Sequence, residues 1–174
     1  MQSNGATIRY ATREDVPAIL SLIKELAAYE KASSSVEATE STLLQTLSFP
    51  QPTSSPTQFT PGFAKTLLVT APDGSTCAMA LFCYNYSTWT GPGVYLEDLF
   101  VQPDYRGRGY GTMLLAQLAR ETKMVGGKRL EWSCLDWNTR SLAFYEGGKV
   151  GAKRKTEWLG LRVEGEALEK LAGE

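Results

Sequence analysis

The sequence contains no histidine among its 174 residues. This absence excludes a Ser-His-Asp triad, a Cys-His dyad and a histidine-rich zinc site. Any catalytic proton transfer must therefore use a carboxylate, tyrosine, lysine or cysteine side chain.

Cysteine is also scarce, since the chain has only Cys77, Cys83 and Cys134. They are odd in number, dispersed and without CxxC spacing, which predicts reduced thiols and a cytoplasmic location. No apolar run approaches the roughly 18 residues that a bilayer span needs. The N-terminus lacks a basic-then-apolar signal pattern, so the sequence predicts no association with a membrane.

Charge of either sign is nearly balanced, at a net −1, and the one basic cluster is Lys153-Arg154-Lys155. This balance gives no reason to expect nucleic-acid binding. The chain is 43% hydrophobic, contains no repeats and is of ordinary length for one domain with its own core. We therefore predict a single domain over residues 1–174.

Hydrophobic periodicity predicts an alternation of strands and helices in one mixed α/β domain. Thr12 and Asp15 predict a capped start for the first long helix, and Thr39 a start for the second. Residues 48–62 hold four prolines among serines and threonines, which predicts an exposed loop. The predicted strands are 8–11, 66–71, 77–86, 94–101, 129–135, 150–154 and 157–163, and later helices are 109–123, 139–146 and one near Leu168.

The most informative segment is a predicted strand that runs into Arg106-Gly107-Arg108-Gly109-Tyr110-Gly111 and then into an amphipathic helix. Glycines let consecutive backbone N–H groups point toward one anion, and the helix N-terminus adds partial positive charge. The spacing is neither a Rossmann fingerprint nor a nucleoside-triphosphate loop. The residues alone leave two readings open, a phosphate cradle and a sharp structural turn without a ligand.

The pattern Arg106-x-x-Gly109-x-Gly111 resembles the pyrophosphate-binding signature of the GNAT superfamily of N-acetyltransferases. Further segments resemble its spermidine/spermine N-acetyltransferase branch. The resemblance covers nearly the whole chain and is weakest in residues 48–62 and after Glu146. The matching segments are Lys24–Glu30, Tyr95–Asp98, Asp104–Gly107 and Asp136–Asn138, with Ser141, Phe144 and Tyr145.

This resemblance implies the GNAT α/β fold, a mixed central sheet flanked by helices in the order βααβββαβαβ with a C-terminal helix. It also implies acetyl-CoA as co-substrate, no metal, and a homodimer. The residues that it places on acetyl-CoA are Leu99, Phe100, Val101, Arg106, Gly107, Arg108, Gly109, Tyr110, Gly111, Thr112, Asn138 and Ser141. The alternatives are a loop cap for Asn138 and an ordinary helical position for Ser141.

Acyl transfer to an amine needs a group that accepts the amine proton. About one primary amine in 2,500 is neutral at pH 7, a cost of about 4.6 kcal/mol. With histidine absent, Glu97 is the candidate base, acting directly or through a water, at the position where the family places this role. The alternative is a surface carboxylate, although an unpaired acid among apolar neighbours would be costly.

Tyr145 is the candidate acid, as the resemblance implies. A phenol is protonated at neutral pH and can give its proton to the departing thiolate. Without the resemblance, Tyr145 would be interpreted as a core aromatic residue beside Phe144.

The acceptor site is implied by the same resemblance and holds acids and aromatic rings, which suit an alkylammonium group. One departure concerns specificity, because Ser87-Thr88-Trp89 stands where the branch has Asp-Pro-Trp, so a carboxylate is lost. The segment Glu146–Lys149 also differs from a more basic run. The candidate acceptor residues are Tyr29, Glu30, Trp89, Glu97, Glu131, Trp132 and Ser133.

We therefore predict an acetyl-CoA-dependent acyltransferase that moves an acetyl group to a small polyamine, diamine or lysine-like amine by direct transfer in a ternary complex. Two alternatives remain at this stage. One is an acetyltransferase acting on a protein or peptide amine, and the other is a module that binds acetyl-CoA without turnover.

Overall fold

The computed structural model describes residues 5–51 and 58–173, which form two compact units that meet in sequence after Trp137. The first unit contains strands β1 (Thr7–Tyr10), β2 (Lys65–Thr70), β3 (Thr76–Ser87), β4 (Gly91–Val101) and β5 (Leu130–Trp132), and helices α1 (Val16–Tyr29), α2 (Glu40–Thr46) and α3 (Tyr110–Met124). The second unit contains α4 (Thr139–Glu146) and α5 (Glu166–Ala172).

The five strands form one sheet in the order β1-β2-β3-β4-β5. All neighbours are antiparallel except β4 and β5, which run parallel. The chain can make that parallel pair because α3 carries it back across the sheet. The mixed α/β architecture predicted from the sequence is therefore confirmed.

The sheet is covered on both faces. On one face, Ile19 of α1 and Leu43 of α2 belong to a buried cluster with Met79 of β3 and Phe100 of β4. On the other face, the Tyr84 hydroxyl of β3 donates to Oε2 of Glu121 on α3 at 3.4 Å. We call these the α1 face and the α3 face, and side chains alternate between them along each strand.

Two predicted helix starts are confirmed by hydrogen bonds. The Thr12 N–H donates to Asp15 Oδ2 at 2.7 Å, just before α1. The Thr42 N–H donates to Thr39 Oγ1 at 3.1 Å, at the start of α2. These side chains satisfy donors that the first helical turn leaves without an intrahelical acceptor.

The predicted exposed loop over 48–62 is wrong at its start. Ser48 and Phe49 are buried, because Phe49 packs into the core cluster and its N–H donates to Thr60 Oγ1 at 2.9 Å. The prolines of this segment predicted a surface loop, so the burial of Phe49 was not predicted. Positions 52–57 of the predicted loop lie outside the described residues.

The predicted strands at 150–154 and 157–163 are not found, so the observed order ends βααβββαβα before the last helix. Every side chain from Lys153 to Gly173 is exposed. A strand needs a neighbouring strand for its backbone hydrogen bonds, and this segment has none among the described residues of its unit. No helix in the described part of the chain is both long and apolar enough to cross a membrane.

Candidate active site

Strand β4 loses its second neighbour halfway along. It pairs with β5 at Val94, Tyr95 and Leu96, and β5 then ends at Trp132. Residues 97–101 of β4 have no strand on that side among the described residues, although β3 pairs with them on the other. Leu99, Phe100 and Val101 therefore lie along an open backbone edge, where the backbone groups that are not already engaged can bond to a ligand's amide groups.

The open edge leads into the glycine-rich turn. Gly107 and Gly109 have φ angles of 78° and 86°, in the left-handed region that favours glycine. A Cβ at either position would meet nothing within 4 Å, so both face open space. Helix α3 begins at Tyr110, and its first N–H groups lack intrahelical acceptors. Residues 106–112, which we call the anion turn, therefore have the backbone geometry predicted for a phosphate cradle.

Two arginines of the anion turn are held by neighbouring rings. Arg106 donates through Nε to the Val101 carbonyl at 2.9 Å, and its Cζ lies 4.9 Å from the ring centroid of Tyr29. Arg108 donates to the Asp104 carbonyl at 3.0 Å, and its Cζ lies 4.9 Å from the ring centroid of Tyr105. Each guanidinium group is therefore oriented by one backbone carbonyl and one aromatic ring that lie outside the anion turn.

A β-bulge sets the positions of two acids on β4. Leu81 of β3 pairs with Asp98 and Phe82 pairs with Leu96, so Glu97 is an extra residue without a partner on β3. Asp98 lies on the α1 face, because its partner Leu81 packs against the core cluster on that face. Burial, and then the Glu97 charge, raise the pKa of both Asp98 and Cys83, and the strand partner of Cys83 is Tyr95. The bulge thus brings two neighbouring carboxylates to one side of the sheet.

Asp98 is the most strongly perturbed carboxyl of the site. Burial, and then the negative charges of Glu97 and Glu30, raise its pKa to about 6. Burial also raises the pKa of Glu30, which follows the last residue of α1. We call Glu30, Glu97 and Asp98 the acid cluster. Because carboxylates repel one another and the C-terminus of α1 is partly negative, a cation would relieve the charge there.

The β5 candidates divide between the two faces of the sheet. Glu131 pairs with Tyr95 and accepts from Asn85 Nδ2 at 3.4 Å, while Ser133 Oγ lies 2.9 Å from the Tyr95 hydroxyl. Trp132 pairs with Leu96, the partner of Phe82, on the α3 face. The structure therefore brings Glu131 and Ser133, but not Trp132, to the face that carries Asp98.

Trp89 lies at the tip of the β3–β4 hairpin and is 76% exposed. From Gly91 to Glu97 the strand extends about 20 Å. The structure does not bring Trp89 together with the acid cluster. Ser87, at the same tip, accepts from Arg129 Nη1 at 3.4 Å, so a cation lies beside the residue that replaces an acid of the related branch.

The three remaining candidates lie in the second unit. Asn138 Oδ1 accepts from the Ser141 N–H at 3.2 Å, so Asn138 caps α4 as its alternative reading expected. The rings of Phe144 and Tyr145 lie 5.3 Å apart, and the Tyr145 carbonyl accepts from the Ala152 N–H at 2.9 Å.

Sequence reasoning missed Asp98 and assigned the cost of burial to Glu97. Glu97 is exposed and Asp98 is the half-buried acid. Two adjacent acids in an otherwise apolar strand are the available signal, because a strand covered on both faces has to bury at least one of them. Among the described residues, no group of three or more acidic or sulfur side chains could hold a metal ion.

Comparison with known proteins identifies the same family. The model of the acetyltransferase (GNAT) family matches residues 36–151. The thialysine N-epsilon-acetyltransferase of Bos taurus is 36% identical over 95% of this chain and 96% of its own length. An L-ornithine N5-acetyltransferase of Arabidopsis thaliana is 33% identical over 94% and 86%. The human spermidine/spermine N(1)-acetyltransferase-like protein 1 is 31% identical over 96% of this chain and 24% of its own.

The solved structures agree on the fold. An integron cassette protein from the mobile metagenome of V. cholerae superposes with a TM-score of 0.73 over 98% of this chain and 99% of its own, at 22% identity. The resemblance to this superfamily and to its spermidine/spermine-like branch, recognised from the anion turn and the flanking segments, is confirmed.

Proposed function

The chain belongs to the GNAT family of acetyltransferases and is an acyltransferase, and from this premise we propose that it acetylates a small primary amine. The acceptor is a lysine-like amino acid, a diamine or a small polyamine. Acetyl-CoA, the acetyl donor of the family, gives its acetyl group directly to the amine in a ternary complex.

One observation carries this proposal. A single strand, β4, joins an acid pair at Glu97 and Asp98 to an open edge at Leu99–Val101 and then to the anion turn. A thioester whose pyrophosphate lies on the turn, and whose arm follows the open edge, would present its carbonyl near the acids.

The proposed acetyl-CoA site has a backbone part and a cationic part. Gly107 and Gly109 leave open space before the N-terminus of α3, where Tyr110, Gly111 and Thr112 present N–H groups to phosphate oxygens. Arg106 and Arg108 add positive charge. Backbone N–H groups of β4 polarise the thioester carbonyl. In the second unit, we propose Asn138 and Ser141 as further contacts of the arm, on the resemblance alone.

The proposed chemistry uses two proton-transfer groups. The amine nitrogen attacks the thioester carbon, its proton passes to Glu97 directly or through a water, and the C–S bond breaks. We propose Tyr145 as the acid that protonates the thiolate, on the resemblance and on the chemistry of a phenol. Tyr145→Phe keeps the aromatic ring, so turnover should fall by about 10²–10⁴-fold while the folded state persists. Wild-type turnover under chemistry-limited conditions would rule out this role.

The acceptor is proposed from charge. The acid cluster attracts one ammonium group, and among the described residues no lysine or arginine forms an ion pair with it. Tyr29 directly precedes Glu30, and Glu131 and Ser133 lie on the face of the sheet that carries Asp98, whereas Trp89 and Trp132 remain acceptor candidates on the resemblance alone. Arg129 beside Ser87 disfavours a second ammonium at the hairpin tip. These charges favour a short acceptor over a long polyamine, in line with relatives named for thialysine and ornithine.

We also propose a homodimer in the cytoplasm. The second unit exposes large apolar side chains, with Leu159 at 88%, Leu161 at 95% and Leu171 at 76%. Exposed apolar side chains of this size suit an interaction surface, and the resemblance implies a second copy as the partner. The three dispersed cysteines, Cys77, Cys83 and Cys134, are too few and too scattered for a disulfide framework, which suits a reducing compartment. Sedimentation should give twice the chain mass, and Leu159→Lys with Leu161→Lys should shift it to one chain mass.

The proposed reaction is tested by release of CoA with a panel of amines. Lysine-like amino acids and short diamines should be acetylated faster than spermine. Activity on peptides with none on free amines would instead identify a protein acetyltransferase. Tight acetyl-CoA binding with no turnover on any amine would identify a binding module.

A further inference from the structure

We propose that Tyr29 is a positioning residue for Arg106, and that its ring holds the guanidinium in the orientation that the pyrophosphate requires. This inference rests on the proposed acetyl-CoA site. It gives Tyr29, a candidate for the acceptor side, a role on the cofactor side as well.

The contacts that Arg106 makes with described residues involve its Nε and the face of its guanidinium group. Nε donates to the Val101 carbonyl at 2.9 Å, and Cζ lies 4.9 Å from the Tyr29 centroid and 5.8 Å from the Phe100 centroid. A guanidinium has five donors in a planar fork, so with Nε engaged the two terminal amino groups remain for a ligand. The rings and the Val101 carbonyl restrict the plane in which those groups can lie.

The Tyr29 ring also has a second ring as its neighbour. The Trp137 ring lies 6.4 Å from it, between centroids, and Lys31 Nζ lies 5.3 Å from the Trp137 centroid. These four groups, which we call the stack, therefore neighbour one another in the order cation, ring, ring, cation. Each ring is attracted to its cation by its quadrupole, and the two rings are tilted by 43° to each other.

The backbone after α1 is strained where it supports this stack. Lys31 has a φ angle of 61°, which is in the left-handed region and is uncommon for a residue with a Cβ. The Ala32 N–H donates to the Ala27 carbonyl at 2.8 Å, and this bond closes the reversal. At this helix end, Tyr29 lies beside Arg106, while Glu30, the next residue, belongs to the acid cluster. One helix end serves both substrates.

A double-mutant cycle tests whether Tyr29 acts through Arg106. Acetyl-CoA affinity is measured by calorimetry for Tyr29→Leu, Tyr29→Phe, Arg106→Ala and the double variant Tyr29→Leu with Arg106→Ala. Tyr29→Leu should weaken binding about 3- to 30-fold, and Tyr29→Phe should restore most of it because the ring remains. In the Arg106→Ala background, Tyr29→Leu should add nothing.

Tyr105→Leu provides a matched variant, because it removes a ring at the same 4.9 Å from the other arginine of the turn. Its effect should persist in the Arg106→Ala background. The inference is overturned if Tyr29→Leu keeps its full effect without Arg106, or if Tyr29→Phe binds as weakly as Tyr29→Leu. If Arg106→Ala itself leaves acetyl-CoA affinity unchanged, the proposed site on the anion turn fails instead.

Discussion

The anion turn follows β4, the strand that carries Glu97 and Asp98 of the acid cluster, but the two regions are built from different chemical groups. The turn consists mainly of backbone, with left-handed Gly107 and Gly109 at the positive N-terminus of α3. The cluster consists of side-chain carboxylates near the negative C-terminus of α1. Acetyl-CoA binding should therefore depend on backbone conformation, whereas amine binding should depend on ionisation.

The largest effect that separates the two regions is expected at Glu97. Glu97→Gln removes the proposed base and keeps the size of the side chain, so turnover should fall by about 10²–10⁴-fold. Acetyl-CoA affinity, measured by calorimetry, should stay unchanged. Glu40→Gln, an exposed acid at the start of α2, controls for loss of charge. Turnover within twofold of wild type would assign the proton transfer to another group, with Asp98 the next to test.

Gly109→Val should damage only the turn. A β-branched residue strains a φ of 86° and fills the space before α3, so acetyl-CoA affinity should fall by about 10- to 100-fold, the loss expected for one or two charge-assisted hydrogen bonds.

Gly126→Val is the matched control, because Gly126 follows the other end of α3 with a φ of 72° and equally open surroundings. It should carry a similar strain and leave acetyl-CoA affinity unchanged. Equal losses in both variants would mean that stability, not the anion turn, was affected.

A smaller effect concerns pH. The Asp98 carboxyl, with its pKa raised to about 6, becomes negative as the pH rises through that value, so the KM for a cationic amine should fall by about 5-fold between pH 5 and 7. Asp98→Asn should remove this step. The pH dependence of acetyl-CoA affinity should be the same in wild type and Asp98→Asn. A difference between them would contradict the claim that only amine binding depends on ionisation of the acid cluster.

The same group affects stability with a definite sign. Because folding raises the Asp98 pKa, the folded state binds the proton more tightly than the unfolded state. That contribution is complete below about pH 4 and is lost as the pH rises through about 6. Denaturant unfolding of wild type minus Asp98→Asn should therefore show a difference in unfolding free energy that declines over this range.

The smallest effect is expected at Glu30. A partly exposed carboxylate–ammonium contact contributes about 0.2–1 kcal/mol, so Glu30→Gln should raise the amine KM by a few-fold. Acetyl-CoA affinity is the internal control. This control is informative because Tyr29, the residue before Glu30, is proposed to act on the acetyl-CoA side. A loss of acetyl-CoA affinity in Glu30→Gln would show that the end of α1 cannot be divided into a cofactor residue and an acceptor residue.

The sequence correctly predicted those parts of the fold that depend on residues close to one another along the chain. The predicted bounds of α4, 139–146, match the structure, because Asn138 is a cap and Gly147 follows the last turn. The anion turn could be recognised because only glycine accepts its φ angles readily. The burial of Phe49 could not be predicted from its proline-rich neighbours, because Phe49 packs against residues that are distant in sequence.

The acid cluster depended on a feature that the sequence does not mark. Regular alternation would place Glu97 and Asp98 on opposite faces, and nothing in the residues reveals that a bulge brings them together. The stack on Arg106 is equally non-local, because Tyr29 and Trp137 lie far from the turn in sequence. The strands expected at 150–154 and 157–163 had residue patterns typical of strands, but a strand forms only where a second strand pairs with it.

The bulge also means that β4 is one residue longer than its pairing with β3 requires. Removing Glu97 would leave Leu96 opposite Phe82 and Asp98 opposite Leu81, so every β3 partner would be kept. The shortened strand would run straight, and β5 could continue beside it and close the open edge. In this sheet, the presence or absence of one residue at position 97 therefore decides whether β4 keeps an open edge next to the acid pair.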